Sequence, residues 1–241
     1  MANRTTGGCF IRPKVVAILI GLVCAMTAAT ADRNPNPRIF APNSDPYDQS
    51  YADWTTAWWQ WAFSLPADQN PLLDNTGAKA ANGQSGDVWF LCGIFGGGGS
   101  VERTITVPPD KALLFPIYNY VWVNTPEFGD PPWSPEQEAN VRGIAADAVD
   151  QLTSASAELD GQTVKQIQAY RFVTDEPFLV DFPDNNLFGI PADTYGPSVT
   201  DGYWLMVKPL STGAHTIHFR TVSADGSVQD VTYHITVKRA R

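Results

Sequence analysis

Residues 213–237 read Gly213-Ala214-His215-Thr216-Ile217-His218-Phe219-Arg220-Thr221-Val222-Ser223-Ala224-Asp225-Gly226-Ser227-Val228-Gln229-Asp230-Val231-Thr232-Tyr233-His234-Ile235-Thr236-Val237. His215, Ile217, Phe219 and Thr221 alternate with Thr216, His218, Arg220 and Val222. After Asp225-Gly226, Val231, Tyr233, Ile235 and Val237 alternate with Thr232, His234 and Thr236. Two period-two runs around an Asp-Gly turn signal a β-hairpin with one buried face. Side chains that meet across two strands share a face, so Ile217, Phe219, Tyr233 and Ile235 lie together only if paired residue numbers sum to an even value. A sum near 452 predicts His218 opposite His234, with Cβ atoms roughly 4.5–5.5 Å apart. Two imidazoles at that spacing are the start of a metal or ligand site, and a third group is needed to complete one.

Extending the pattern one strand back supplies candidates. Tyr203, Leu205 and Val207 alternate with Trp204, Met206 and Lys208 before the Pro209–Ala214 connection. If that strand pairs with the His215 strand, Trp204 or Met206 flanks His218. The resulting face holds Trp204, Met206, His218, Arg220 and His234. Imidazoles with a thioether suit copper, whereas a carboxylate from Asp184 or Asp193 would complete a zinc-like site. The same residues have a structural reading, two histidines hydrogen-bonded to their strand neighbours. His215, on the core-side register beside a turn, reads as structural.

The N-terminus speaks to location. Arg4, Arg12 and Lys14 precede the apolar run Val15–Val23, and Ala29-Thr30-Ala31 has the form of a cleavage site, so residues 1–31 are expected to be a signal peptide. The protein is then secreted or periplasmic. The apolar run falls short of the ~20 residues that span a bilayer, and no transmembrane segment is expected in the mature chain. Of the three cysteines, Cys9 and Cys24 leave with the signal. Cys92, alone in the mature chain, forms no internal disulfide and sits in the apolar run Val88–Cys92 as a buried thiol. The signal carries three of 16 basic residues and none of 25 acidic ones, which leaves 13 against 25 and a net charge of −12. Such a surface repels phosphate backbones, so nucleic acid is not an expected partner.

Residues 32–49, rich in Pro and Asn, read as an extended lead-in, and 50–241 as a single domain. Ser50 with Asp53 resembles a capping box, opening a helix over Tyr51–Ser64. Trp54, Trp58, Trp61 and Leu65 form one helical face that buries against a sheet or serves as a sugar platform; Trp59 points elsewhere and is a candidate ligand contact. Strands are expected at Asp87–Phe95 and Ser100–Val107, flanking Gly96–Gly99 as a hairpin tip, and at Lys111–Val123. A second helix starts at Ser134-Pro135, with Val141, Ile144, Ala148 and Leu152 as its apolar stripe. Asp160-Gly161 marks another hairpin, strands follow near Gln166–Val173 and Phe178–Phe182, and Pro183–Thr200 reads as a long loop. Many short strands with two peripheral α-helices give a mainly β fold, a β-sandwich or jelly-roll.

The terminal pattern Gly213–Ile217 with Val231–Val237 resembles the last strand pair of bacterial extracellular Ig-like and PKD-like domains. The Trp-rich helix, Asp87-Val88-Trp89-Phe90-Leu91 and Val107–Pro116 look like uncharacterised secreted bacterial proteins. The resemblance implies export and a β fold, and carries over no catalytic residue. No nucleophile elbow, H-E-x-x-H or Cys₂His₂ spacing occurs. The function expected is a secreted ligand-binding protein for carbohydrate or cell-envelope material, with Trp204, Arg220 and Trp59 as ligand contacts. The alternatives are a metalloenzyme holding zinc or copper through His218, His234 and Met206, and a structural surface or matrix protein. Neither the identity of the ligand nor the oligomeric state follows from the residues.

Overall fold

A computed structural model describes Met1 and residues 34–239; most of the expected signal segment and the start of the lead-in lie outside the described residues. Residues 34–49 belong to the same compact unit as the domain. Ile39 is buried and bridges to Val207, and Phe40 N–H donates to the Met206 carbonyl.

The protein is mainly β, with two α-helices and two five-stranded sheets among the described residues. Helix α1 spans Tyr51–Phe63, and its capping box forms as the sequence requires. Ser50 Oγ accepts from Asp53 N–H, and the Asp53 carboxylate accepts from Ser50 N–H. Trp58, Trp61 and also Trp59 are buried, so the aromatic residues wrap around the helix instead of forming one stripe. Helix α2 spans Pro135–Asp150, and its buried stripe is Val141, Ala145 and Val149, rotated by one residue from the expected set beyond Val141.

The first sheet holds β1 (Val88–Phe90), β3 (Ala112–Val123), β6 (Arg171–Val173), β7 (Phe178–Phe182) and β8 (Asp193–Val207). β8 is central: it pairs antiparallel with β3 on one side and with β6 and β7 on the other, while β1 runs parallel to the start of β3. The second sheet has the order β2 (Gly99–Val107), β10 (Val228–Val237), β9 (Gly213–Ser223), β4 (Leu152–Leu159) and β5 (Gln162–Thr163). Phe115 of β3 stacks on Phe219 of β9 at 5.3 Å between ring centroids, which marks the seam between the sheets. On the other face of the first sheet, Trp58 of α1 meets Trp204 at 5.3 Å, and Trp59 Nε1 donates to Thr200 Oγ1 at 2.9 Å.

Four expectations change. β1 and β2 lie in different sheets, so Gly96–Gly99 is part of a crossing between layers and not a hairpin tip. β8 begins at Asp193, which shortens the long loop to residues 183–192. The Gln166 region opens with a 3₁₀ turn at Ile167–Tyr170 before β6. The terminal hairpin is real and its odd-numbered residues face the core, but its paired numbers sum to 450. The loop is the cause. Gly226 N–H donates to Ser223 O and Ser223 N–H to Ser227 O, enclosing three residues with Gly226 at φ 84°. A tight turn closed by a left-handed residue makes a three-residue connection and places the register two residues from the expected one.

Candidate ligand-binding cleft

β3 is 12 residues long, and β1 covers only Ala112–Leu114. Beyond that point its one strand neighbour among the described residues is β8. Leu91 N–H donates to Leu114 O on the β1 side, and a register shift at Pro116/Tyr118 then changes which residues face which neighbour. Ile117 O turns away from β8 and accepts from Gln229 Nε2 at 2.8 Å, whereas Tyr120 O lies on the β8 side and accepts from Thr200 Oγ1 at 2.6 Å. The alternation of an extended strand therefore directs the N–H and C=O groups of Asn119, Val121 and Val123 to the uncovered side. Among the described residues, 118–123 make no backbone–backbone hydrogen bond outside the β3–β8 ladder, and of the groups on the uncovered side Val123 O accepts from Thr125 Oγ1 at 2.9 Å.

Three adjoining cavities run along this edge. The central one, of about 250 Å³, lies between β3, α1 and the 93–96 loop, and includes Trp58, Trp59, Phe95, Asn119 and Gln229. It shares Ile94, Gly96, Asn119 and Gln229 with a polar cavity of about 330 Å³ that reaches Thr221, Ser223 and Asp225. At the other end it shares Val121 with an aromatic cavity of about 350 Å³ formed by Phe63, Trp122, Phe128, Phe182 and Phe188. Phe188 is the hub there, with ring centroids at 5.6 Å from Phe63, 5.3 Å from Phe182 and 6.2 Å from both Phe95 and Phe128.

No Asp, Glu, Lys or Arg lines the central cavity. Asn119 Nδ2 and Trp122 Nε1 are buried donors without a hydrogen-bond partner. Asp130, in the aromatic cavity, accepts from Thr125 N–H at 2.7 Å. The wall opposite β3 is held by two side chains. Gln229 Oε1 accepts from Ile94 N–H, and Arg103 Nη2 donates to Gly93 O at 3.0 Å. Cys92, beside that wall, is inert: burial pushes its thiol up to about 12, with Arg103 offsetting part of the rise.

The residues singled out from the sequence are not gathered in one place. His218 faces Thr232 and His234 faces Thr216, so the two are diagonal neighbours on the outer face of the second sheet. Each imidazole has its own carboxylate: His218 Nε2 lies 2.9 Å from Asp230 Oδ1, and His234 Nε2 lies 3.7 Å from Glu102 Oε2. Arg220 joins Asp230 at 3.6 Å on the same exposed face. Trp204 and Met206 are in the other sheet, with no exposed surface, because the crossing at residues 208–212 carries the chain from one layer to the other. The expected cluster of five is thus overturned, and no group of three His, Cys, Asp or Glu is placed to hold a metal among the described residues. Asp193 is at the exposed start of β8, and Asp184 is exposed in the 183–192 loop. Trp59 does reach the central cavity, though its indole N–H is committed to Thr200.

Ser211, His215 and Asp160 form a contact that looks like a triad. His215 Nδ1 is 2.9 Å from Asp160 Oδ2, and Nε2 is 3.4 Å from Ser211 Oγ. Nε2 is closer to the Ser211 carbonyl, at 2.9 Å, so both ring nitrogens face acceptors and no lone pair is directed at the hydroxyl. The arrangement is a brace between β9 and the β4–β5 turn.

The cleft was missed in the sequence because its parts are distant in the chain. The available signal was the run Tyr118–Val123, which has neither charge nor proline although it ends up beside an uncovered edge.

No family profile and no curated protein matches the chain. Among solved structures, a cysteine protease inhibitor from Entamoeba histolytica is similar over 63% of this chain and 96% of that chain, at 10% identity and a TM-score of 0.23. A likeness at that level carries no argument about fold or function.

Proposed function

We propose that the protein is an exported binding protein whose ligand, drawn from carbohydrate or other cell-envelope material, lies in the cleft along β3. The observation that supports this reading is the combination of unspent donors and an uncharged centre. Asn119 and Trp122 line adjoining cavities, and their Nδ2 and Nε1 are buried beneath those walls with no partner among the described residues. A buried donor left unpaired costs about 1–3 kcal/mol, which a ligand acceptor would recover. Aromatic walls with a few polar groups are the usual composition of a small-ligand site. The metalloenzyme alternative finds no support in the placement of His218, His234 and Met206.

Gly97 provides the test, since a Cβ built there meets nothing within 4 Å and the residue lines the polar cavity. Gly97→Trp should fold normally and fill the polar end of the cleft. Neutral oligosaccharides and envelope-derived peptides are titrated into both proteins and followed by melting temperature, which rises with the logarithm of ligand concentration above its Kd. A probe that stabilises the parent and not Gly97→Trp supports the reading. Probes that act equally on both proteins, or on neither, overturn it.

A further inference from the structure

We infer that the ligand is a polypeptide segment in extended conformation, which adds as a further strand to the uncovered edge of β3. The inference rests on the cleft being the binding site and specifies what it takes. Exposed sheet edges are normally blunted by charge, proline or a bulge within the edge, because unpaired N–H and C=O groups invite another strand. Tyr118-Asn119-Tyr120-Val121-Trp122-Val123 has none of these, since the register shift precedes it. Apart from Asn119, these residues also have high strand propensity. Such an edge is an aggregation hazard unless it serves recognition by strand addition.

The surroundings fit one strand. The edge lies in the floor of a cleft, with the 94–96 loop across from Asn119, Tyr120 and Val121. A single extended segment can enter, whereas the edge of a second folded copy would meet that loop. From Asn119 to Val123 the strand advances about 13 Å, enough for an added segment to reach from the central cavity to the aromatic one. Its alternate side chains would fall on the face that carries Trp59, Phe95 and Phe188. Asp130 and Asp225 at the two ends, with the chain's formal charge of −9, select a segment with apolar alternate residues and basic flanks.

The probe is acetyl-Lys-Val-Thr-Phe-Thr-Val-Lys-amide, titrated into the full protein. It is compared with two versions N-methylated at either the even or the odd positions. Strand addition uses the N–H groups of alternate residues only. One methylated version should therefore lose affinity by at least about tenfold, and the other should stay within about twofold of the parent peptide. Amide exchange at Asn119, Val121 and Val123 should slow by at least about tenfold on binding, while Tyr118, Tyr120 and Trp122, already in the β8 ladder, should change little. Equal loss from both methylation patterns, or binding that leaves those three amides unprotected, overturns strand addition. Failure of the peptide while a neutral oligosaccharide binds the parent and not Gly97→Trp overturns the polypeptide ligand and leaves the cleft reading standing. If peptide and oligosaccharide bind both proteins alike, the cleft reading falls and strand addition falls with it. A dimer whose β3 amides are protected without any peptide would assign the edge to a second copy, and overturns the inference too.

Discussion

Arg103 and Tyr233 are direct partners in the parallel β2–β10 ladder, and inside the sandwich Arg103 Nη1 donates to the Tyr233 hydroxyl at 3.1 Å, its Cζ lying 5.4 Å from the ring centroid. Arg103 is 2% exposed. Its Nε donates to Asp74 O at 2.7 Å, Nη1 also to Cys92 O at 2.9 Å, and Nη2 to Gly93 O. A charge so deeply buried is tolerated because a planar fork reaches several backbone carbonyls at once. It ties the strand-bearing core to the loop that walls the cleft.

Arg103→Met should accordingly cost about 3–5 kcal/mol in urea unfolding, because the carbonyls of Asp74 and Gly93 lose their donor. Arg103→Lys should recover less than half of that, since an ammonium on a flexible stem cannot span the same acceptors. An equal stability for the parent and Arg103→Met would show that these hydrogen bonds are replaced at no cost.

Trp58 is 1% exposed, meets Trp204, and donates through Nε1 to Leu91 O at 2.9 Å. Trp58→Ala should destabilise the fold by about 3–5 kcal/mol, as expected for a large core ring, with Trp58→Phe less severe. A sugar-platform role would instead leave the melting temperature unchanged in Trp58→Ala and abolish glycan binding.

Asp160 gives the protein an acid-sensitive brace. Burial alone would raise its pKa, but hydrogen bonds from His215, Thr216 N–H and Arg38 more than offset this and hold it down to about 2. A carboxyl lowered on folding contributes stability above its unfolded pKa near 3.8, and that contribution is lost as pH falls through the folded value. The window is therefore about pH 4 down to pH 2. Since the side chain is 30% exposed, solvent screening limits the contribution to about 1–2 kcal/mol. Asp160→Asn should be less stable than the parent at pH 6 by that amount, and the gap should close toward pH 2. A gap independent of pH would mean that the pairing does not govern it.

Zinc and copper should leave the melting curve unchanged at about pH 7.5, one unit above the unperturbed imidazole pKa. His218 and His234 are engaged by separate carboxylates, and the thioether of Met206 is in the other layer. A His218→Ala, His234→Ala double variant should respond to metal like the parent. A metal-dependent rise that this variant loses would reinstate the site.

The contrast between what was legible and what was not follows from the range of the forces involved. Ser50 and Asp53 cap a helix through neighbours in sequence, and Asp160-Gly161 closes β4 onto β5 through a two-residue turn, so both could be read directly. The alternation in residues 213–237 gave the buried face correctly, because the period of a strand is local. Register depends on loop length, and a three-residue loop in place of the expected connection displaced His218 from His234. Alternation is also silent about which sheet a strand joins, and the crossing at residues 208–212 puts Trp204 in the layer opposite His218. The cleft required Gln229 to meet Ile94 and Ile117, pairs more than a hundred residues apart, and no local pattern records that.

Gly202 links the core to the cleft. It is the register partner of Asn119, and a Cβ built on it would lie 2.6 Å from Asn119 Cβ and 2.7 Å from both Asn119 Cα and Tyr118 O. Two of those three atoms are backbone, so neither rotamer change nor side-chain motion relieves the overlap; β3 and β8 must separate just after the bulge. Gly202→Ala should therefore destabilise the fold by about 1–3 kcal/mol, the usual cost of overpacking a tight contact. It should also shift the amide resonances of Asn119–Val121 and weaken any ligand held by that edge. Gly97→Ala is the matched control, because the added methyl meets nothing, and its stability should stay within about 0.5 kcal/mol of the parent. If Gly202→Ala were as stable as Gly97→Ala with Asn119 undisturbed, the close approach of the two strands would not be what fixes the edge of β3 in the cleft.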